Sequence, residues 1–322
     1  FKQKTAYEIG VRLVGSEMCI RDRSITVGVV GLGAMGSAIA IRLCQSGFDV
    51  IGLDLYNHNM SELEDHGGRR ADTPRKIAEE ADFIILSLPS AESFHEVTNG
   101  QSGIAAANRK NIIVIDTCTL AINDKEEAGR RLKDLDITLL DCTVSGSRAT
   151  CLNGDLATFA SGDVRAFEKS SSIFQAFANP LHWMGEFGNA SRIKYVLNYL
   201  VCINNAASAE ALSYATKMGL DPQQVYDLVN TSVARSRIWE LRAKMMVEGD
   251  YTTSRGTYNI SRKDAKIIGA IAQEIESPSP VFSSALQMHY AGMAQGYSKM
   301  DTASLYEVYK RASGAKNIVD PD

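Results

Sequence analysis

The stretch Val27–Ala40, VGVVGLGAMGSAIA, limits the possible folds of this chain more than any other. A short apolar run breaks into Gly31-Leu32-Gly33-Ala34-Met35-Gly36 and then resumes as small and apolar residues at helical spacing. The order reads as strand, tight turn and helix. Gly31 makes the turn, Gly33 leaves the backbone bare where a pyrophosphate would approach, and Gly36 lets helix and strand pack closely. Ala34 and Met35 open the helix, whose unpaired N–H groups and partial positive charge suit a phosphate. Glycine turns occur in other α/β sheets too, so the context carries the argument. A second strand-like run, Asp49–Asp54, ends about twenty residues on in Asp54, an acid placed to accept ribose hydroxyls. The combination predicts a nucleotide-binding fold with NAD as its cofactor.

Further strand-like runs at Asp82–Leu88, Asn111–Ile115 and Asp136–Leu140 are short apolar blocks separated by helical stretches. That alternation predicts an α/β, doubly wound parallel sheet covered by helices on both faces. Polar and turn residues follow each run: Ser87-Leu88-Pro89, Asp116-Thr117-Cys118-Thr119, and Asp141 to Ser147. Ligands of open α/β sheets sit at the carboxyl ends of strands, so these loops are the expected walls of a site. Gly154–Gly162 reads as one more strand, Val164–Ala178 as a helix and His182–Gly185 as a last strand. From Asn189 onward Ala, Leu, Met, Glu and Lys recur at helical spacing. Ser191–Met218 is long enough to be one helix joining two domains, and Asp221-Pro222 opens another. Helical stretches at Ser236–Val247, Arg262–Glu276, Val281–Gln295 and Ala303–Arg311 complete an all-helical C-terminal domain. The expected division is a nucleotide domain over 24–188 and a helical substrate and oligomerisation domain over 189–322.

With 322 residues the chain is long enough for two cores. Its net charge of −4 argues against broad attraction to nucleic acid or anionic lipid. No run approaches the roughly 20 apolar residues of a membrane span. The six cysteines are scattered, without CxxC, and read as reduced thiols of a cytoplasmic protein. The five histidines form no cluster, so no metal site is expected. Phe1–Arg23 precedes the first strand without a role the fold requires, and its acidic residues argue against a signal or transit peptide. Val14–Asp22 reads as a translated sequencing adaptor, so the expectation is a non-native leader before Ser24.

In the joining helix Lys194 and Asn198 are four residues apart and share a face among apolar neighbours, with Asn205 nearly in line three turns on. Two readings stand. The lysine can snorkel out at the helix end, or it can be held between the domains, partly desolvated, as a proton donor and acceptor.

Four separated motifs now agree in order: GLGAMG, the loop DCTVSGS, the stretch GEFGNASRIKYVLN, and the late pair Lys263-Asp264. Over nearly everything after Ser24 the chain resembles the β-hydroxyacid dehydrogenase family, the 3-hydroxyisobutyrate dehydrogenase-like enzymes. The resemblance implies Lys194 as catalytic acid/base with Asn198 as its helper, and Ser145, Gly146 and Ser147 at the substrate carboxylate. It also implies Leu88, Pro89, Ser93, Thr119 and Lys263 around the cofactor. The implied activity is hydride transfer between NAD and a small anionic 3-hydroxy acid, by a homodimer or homotetramer. Ile238–Tyr251 and Asn153-Gly154 resemble the L-threonate dehydrogenase branch, which tilts the substrate toward a sugar acid.

The chain departs from the family pattern at several positions. Ser147 stands where the family has a second glycine, and would be strained if that position needs positive φ. Thr143 replaces a proline, Ala190 a glycine and Leu197 an asparagine, and Arg148 follows the loop directly. Arg148 reads either as a solvated charge or as a partner for a second acidic group on a larger substrate. Arg235 and Arg237 sit where relatives place pocket-lining residues. The rival functions are an imine reductase of the same fold, which usually lacks the lysine, and a catalytically silent NAD-binding module.

Overall fold

The computed structural model describes residues 25–252 and 256–315. Phe1–Arg23, the stretch expected to be a non-native leader, therefore lies outside the described residues. Six parallel strands, β1 (Thr26–Val30), β2 (Asp49–Leu53), β3 (Arg69–Arg70), β4 (Phe83–Leu86), β5 (Ile113–Asp116) and β6 (Thr138–Asp141), form one sheet. Their spatial order is β3-β2-β1-β4-β5-β6. In register, Val27 lies between Val50 and Phe83. Alternation along the strands divides their side chains between two cores. Val27, Val29, Ile85 and Ile115 pack on one face with Ile39 and Leu43 of α1 (Ala34–Gln45) and with Met60 and Leu63 of α2 (Asn57–Asp65). Val30, Ile84, Leu86 and Val114 pack on the other. Their partners are Ile77 of α3 (Pro74–Glu80), Phe94 of α4 (Ala91–Asn99) and Leu132 of α5 (Ile122–Lys133). Because both faces are covered, these strands read as unbroken apolar runs. The order reverses between β1 and β4, which opens a crevice at their carboxyl ends.

Beyond β6 the chain departs from the expected pattern. The run at 154–162 does form a strand, but in a separate three-stranded sheet of β7 (Val144–Ser145), β8 (Leu156–Ala160) and β9 (Ala178–Trp183). β7 runs antiparallel to β8, and the two sheets touch through an isolated bridge, Asp141 to Ser161. Between β7 and β8 lies the short α6 (Arg148–Leu152). The single helix expected over Val164–Ala178 is instead two, α7 (Val164–Lys169) and α8 (Ser171–Gln175). They are divided at Ser170, whose buried hydroxyl donates to Ala166 O at 2.8 Å. The break turns Ile173, Phe174 and Phe177 into the core, where all three are fully buried. β9 begins four residues earlier than the expected last strand; as an edge strand it tolerates Pro180, which has no N–H to give.

Helix α9 (Asn189–Lys217) runs 29 residues, close to the expected span. It is followed by α10 (Pro222–Asn230), capped by Asp221, whose carboxylate accepts Gln224 N–H at 2.8 Å. The helix expected over Ser236–Val247 contains a π-helical turn, Trp239–Ala243, before α11 (Lys244–Glu248). The turn carries Arg242 into the interior, where it bonds Asp301 and Thr302. Helices α12 (Tyr258–Glu274), α13 (Pro280–Ala294) and α14 (Leu305–Ser313) pack along α9, with Tyr195 and Tyr199 of its first half set against Ile268 and Phe282. Ala209, Leu212, Trp239, Tyr258 and Tyr306 fill the core of this helical half. Among the described residues no helix is long and apolar enough to cross a membrane. Of the five cysteines among the described residues, Cys118, Cys142 and Cys151 are buried, Cys44 and Cys202 are part-buried, and all five are unpaired.

Candidate active site

The glycine turn after β1 separates what the fold demands from what a ligand would demand. Gly31 has φ +88°, and a Cβ there would lie 2.4 Å from Ser87 O. A Cβ on Gly36 would lie 1.8 Å from Gly31 O. Those two glycines are fixed by the protein's own packing. Gly33 is different, with an ordinary φ of −64° and no heavy atom within 4 Å of where a Cβ would stand. Nothing among the described residues explains its bareness, whereas an approaching pyrophosphate does. Gly33 also begins α1 without a side-chain cap, and the first turn, with Ala34 and Met35, holds no acidic residue. Its amides are thus left to an anion. Asp54, just past β2, has one carboxylate oxygen accepting Leu32 N–H at 2.6 Å and the other accepting Tyr56 N–H at 2.9 Å. These bonds hold the acid against the glycine turn. The residues present therefore fit a dinucleotide.

The loops after β4 and β5 close the other side of the crevice. Leu88 N–H donates to Cys118 Sγ at 3.0 Å, while Pro89 leads into Ser90, which forms a reciprocal cap with Ser93 at the start of α4. Ser93 therefore uses its hydroxyl locally, donating to Ser90 O at 2.9 Å. Three successive carbonyls beyond β5 accept bonds from three different helices. Cys118 O accepts Lys125 Nζ of α5 at 2.7 Å, Thr119 O accepts Lys263 Nζ of α12 at 2.7 Å, and Leu120 O accepts the Tyr195 hydroxyl of α9. The loop expected at the cofactor is thus the latch between the sheet and the helical half.

Lys194 lies one residue before Tyr195 and is half-buried. Among the described residues its ammonium makes no hydrogen bond or ion pair. Desolvation holds its pKa below the usual lysine range, the charge of Lys263 pushes the same way, and Asp264 opposes both. Asn198, one turn on, donates through Nδ2 to Asp264 Oδ2 at 2.8 Å, and Lys263 Nζ lies 3.4 Å from Asp264 Oδ1. Burial raises the pKa of the Asp264 carboxyl, against the pull of Lys263 and Lys194. Lys194, Asn198, Lys263 and Thr119 are thereby brought together, with Asp264 among them. Sequence reasoning names Asp264 in the late pair but gives it no role; its adjacency to Lys263 is the available signal. Asn205 points elsewhere, donating to Thr302 O at 2.9 Å in the helical core.

Ser147 is unstrained, with φ −119°, and caps α6 by a reciprocal pair with Thr150. Extended backbone removes the need for glycine there. The same cap occupies the Ser147 N–H, which donates to Thr150 Oγ1 at 2.7 Å, so that amide is not free to meet the expected substrate carboxylate. Gly146 is exposed, and a Cβ there would press to 2.5 Å from Thr150 Oγ1. The Ser145 hydroxyl makes no hydrogen bond among the described residues. Arg148 follows neither expectation: it bonds Ser37 of α1 and pairs with Glu62 of α2 at 2.7 Å, tying α6 to the nucleotide helices. Arg235 and Arg237 are exposed and share Glu240.

A doubly wound sheet that keeps one glycine of its first turn clear of the other described residues is suited to binding a dinucleotide. Comparison with known proteins agrees. The family model described as the NAD binding domain of 6-phosphogluconate dehydrogenase matches residues 26–185. The model described as NAD-binding of NADP-dependent 3-hydroxyisobutyrate dehydrogenase matches residues 188–309. The L-threonate dehydrogenase of Escherichia coli (strain K12) is 30% identical over 295 residues, covering 90% of this chain and 97% of that one. The 2-(hydroxymethyl)glutarate dehydrogenase of Eubacterium barkeri is 26% identical, covering 91% and 97%. A crystal structure of 3-hydroxyisobutyrate dehydrogenase from Salmonella typhimurium superposes with a TM-score of 0.82 at 28% identity, covering 88% and 100%. The chain belongs to the β-hydroxyacid dehydrogenase family and is an NAD(P)-dependent dehydrogenase.

Proposed function

We propose that this enzyme interconverts a small 3-hydroxy acid, of the sugar-acid class that includes threonate, with its oxo form, using NAD and Lys194 as the acid/base. The observation that carries the reading is a desolvated Lys194 ammonium, without a partner among the described residues, beside Asn198 and Asp264, where the two halves of the chain meet. When bound, the nicotinamide supplies a hydride acceptor in oxidation and a hydride donor in reduction. In oxidation, neutral Lys194 Nζ takes the proton of the substrate hydroxyl; in reduction, its ammonium returns a proton to the carbonyl oxygen. Desolvation lowers the Lys194 pKa and so eases loss of the proton, while Asp264 steadies the charged form. Asn198 fixes Asp264 on that face of the helix. Gly31, Gly33, Gly36 and the amides of Ala34 and Met35 cradle the pyrophosphate, with Leu88, Pro89, Ser93, Thr119 and Lys263 lining the cofactor's other side. The Asp54 carboxylate accepts ribose hydroxyls and repels a 2′-phosphate, which favours NAD over NADP. Ser145, Gly146 and Ser147 meet the substrate carboxylate, chiefly through hydroxyls.

The name of the Escherichia coli relative supports the sugar-acid choice. Residues 24–188 form the nucleotide domain and 189–322 the substrate domain in this reading. The assembly is a homodimer or homotetramer, consistent with the exposed apolar Val196, Leu200, Tyr214 and Met218 along α9. Free thiols and an acidic composition fit the cytoplasm.

The test is NAD reduction across a panel of 3-hydroxy and sugar acids, repeated with Lys194→Met. Turnover should fall by about 10²–10⁴ or more in the variant while NAD affinity changes little. Normal kcat in Lys194→Met removes the catalytic assignment, and silence of the native enzyme across the panel favours a binding module.

A further inference from the structure

Beneath the candidate site lies a buried charge cluster that the reaction as described leaves unused. Lys125 of α5, Asp116 at the end of β5 and Asp141 at the end of β6 all have fully buried side chains. Lys125 Nζ lies 2.9 Å from Asp116 Oδ2 and 2.8 Å from Asp141 Oδ1. Burying such ions is costly, and two carboxylates on one ammonium leave an excess negative charge. The first turn of α9 meets that charge. Asp141 Oδ2 accepts Ser191 N–H at 2.8 Å, Asp141 Oδ1 accepts the Ser191 hydroxyl at 2.8 Å, and Ser161 Oγ donates to Asp141 Oδ2 at 3.2 Å. Helix α9 begins at Gly188, which has no side chain to cap it. Asp141 therefore supplies, from the sheet, the anionic cap that the helix lacks, at the positive end of a 29-residue dipole.

The same turn is held elsewhere. Ser161 Oγ accepts Ala190 N–H at 3.1 Å, and Thr143 Oγ1 donates to Ala190 O at 2.7 Å. One turn further, the Tyr195 hydroxyl donates to Leu120 O. Ser191 and Tyr195 share a helix face, and Lys194 stands between them in sequence. Asp116, by contrast, bonds Lys125 and the Cys118 N–H, and among the described residues its carboxylate makes no hydrogen bond to α9.

We propose that Asp141 is a positioning residue, which through Ser191 clamps the first turn of α9 and so sets the place and hydration of Lys194 relative to the loop ends of the sheet. This rests on the reading of Lys194 as acid/base only for its catalytic consequence, because the placement itself is measurable without substrate. Lys125 holds the Asp141 carboxylate in the orientation that presents both oxygens to the helix. Lys194 faces Lys263 and Asp264 from α12, and the clamp fixes its distance from both.

Ser191→Ala removes one bond and leaves the buried ions intact. Competitive labelling with acetic anhydride over about pH 6 to 11, read by peptide mass spectrometry, follows the titration and reactivity of Lys194 itself. The expected result is a Lys194 titration displaced upward by about half a pH unit or more as water reaches a loosened turn. With L-threonate as the probe acid, kcat should fall about tenfold while the NAD Kd holds within about twofold, and Ser191→Thr should recover part of the rate. A Lys194 titration identical to the native one overturns the proposal, even if the melting temperature drops, since that is a purely structural role. Should Ser191→Ala fail to fold, Ser161→Ala, which removes bonds to both Ala190 and Asp141, gives the same two outcomes. If the labelling shifts but Lys194→Met keeps its turnover, the clamp stands and the acid/base assignment falls.

Discussion

Replacing Gly33 and Gly36 separately by alanine should divide cofactor binding from folding. At Gly36 the new methyl would meet Gly31 O at 1.8 Å, with Gly31 C at 2.9 Å and Ser87 Cβ at 3.1 Å. Two of those atoms are backbone, so α1 must move away from β1. Overpacking of this kind costs about 1–3 kcal/mol and more where backbone has to shift, so about 3 kcal/mol is expected. At Gly33 the methyl would enter open space, and φ −64° suits alanine. Losing glycine as a helix N-cap costs up to about 1 kcal/mol, and the reduced freedom of the unfolded chain returns about 0.4–1 kcal/mol. The two nearly cancel, so stability should change by less than about 0.5 kcal/mol. A methyl there does occupy the approach of the pyrophosphate, and NAD affinity should weaken by about tenfold or more. Urea unfolding followed by circular dichroism gives the stabilities, and calorimetric titration with NADH gives the affinities. A Gly33→Ala enzyme that binds NADH like the native one, or a Gly36→Ala enzyme that unfolds at the native midpoint, would contradict this division.

Three further outcomes follow from the same geometry. Asp54→Ala should narrow the ratio of kcat/KM for NAD over NADP by about tenfold or more, since the charge opposing a 2′-phosphate is gone; an unchanged ratio would discard Asp54 as the selector. Asp264→Asn removes the charge that raises the Lys194 pKa, so the rising limb of kcat against pH in the oxidation direction should move to lower pH. A limb that stays in place would show that Asp264 does not act on Lys194. His289 is buried against Tyr258, and desolvation lowers its pKa from 6.5 to about 4. The unfolded chain then binds a proton below pH 6.5 that the folded chain refuses until about 4, so this group's contribution to stability is lost as pH falls through that window. Between pH 7 and 5 the loss is about 2 kcal/mol, and His289→Phe should reduce the pH dependence of the unfolding free energy, measured with urea, by that amount. Equal slopes for the two proteins would rule it out.

The features legible in the chain alone are local ones. The glycine turn, the apolar strands and the start of α10 at Asp221-Pro222 follow from backbone sterics, two-sided burial and helix capping, all of which act within a few residues. The long α9 is legible for the same reason, and so is the pairing of Lys194 with Asn198 on one helix face. Contacts across the chain are not. Ser147 looks strained as a replacement for glycine, and only the packing of α6 gives it extended backbone and a capping role. Arg148 is ambiguous until the fold puts Ser37 and Glu62, more than eighty residues away in sequence, beside it. The split of α7 from α8 at Ser170 comes from the need to bury Ile173, Phe174 and Phe177 together, a demand that helical periodicity alone does not express. Asp116 and Asp141 stand at the head of loops expected to wall a site, and nothing in the sequence links either of them to Lys125. Their value lies in distances of 2.8–2.9 Å between residues on three different elements, in an interior where an unpaired ion is prohibitively costly. It takes the folded chain to bring these charges together, and to complete them with the helix that bears Lys194.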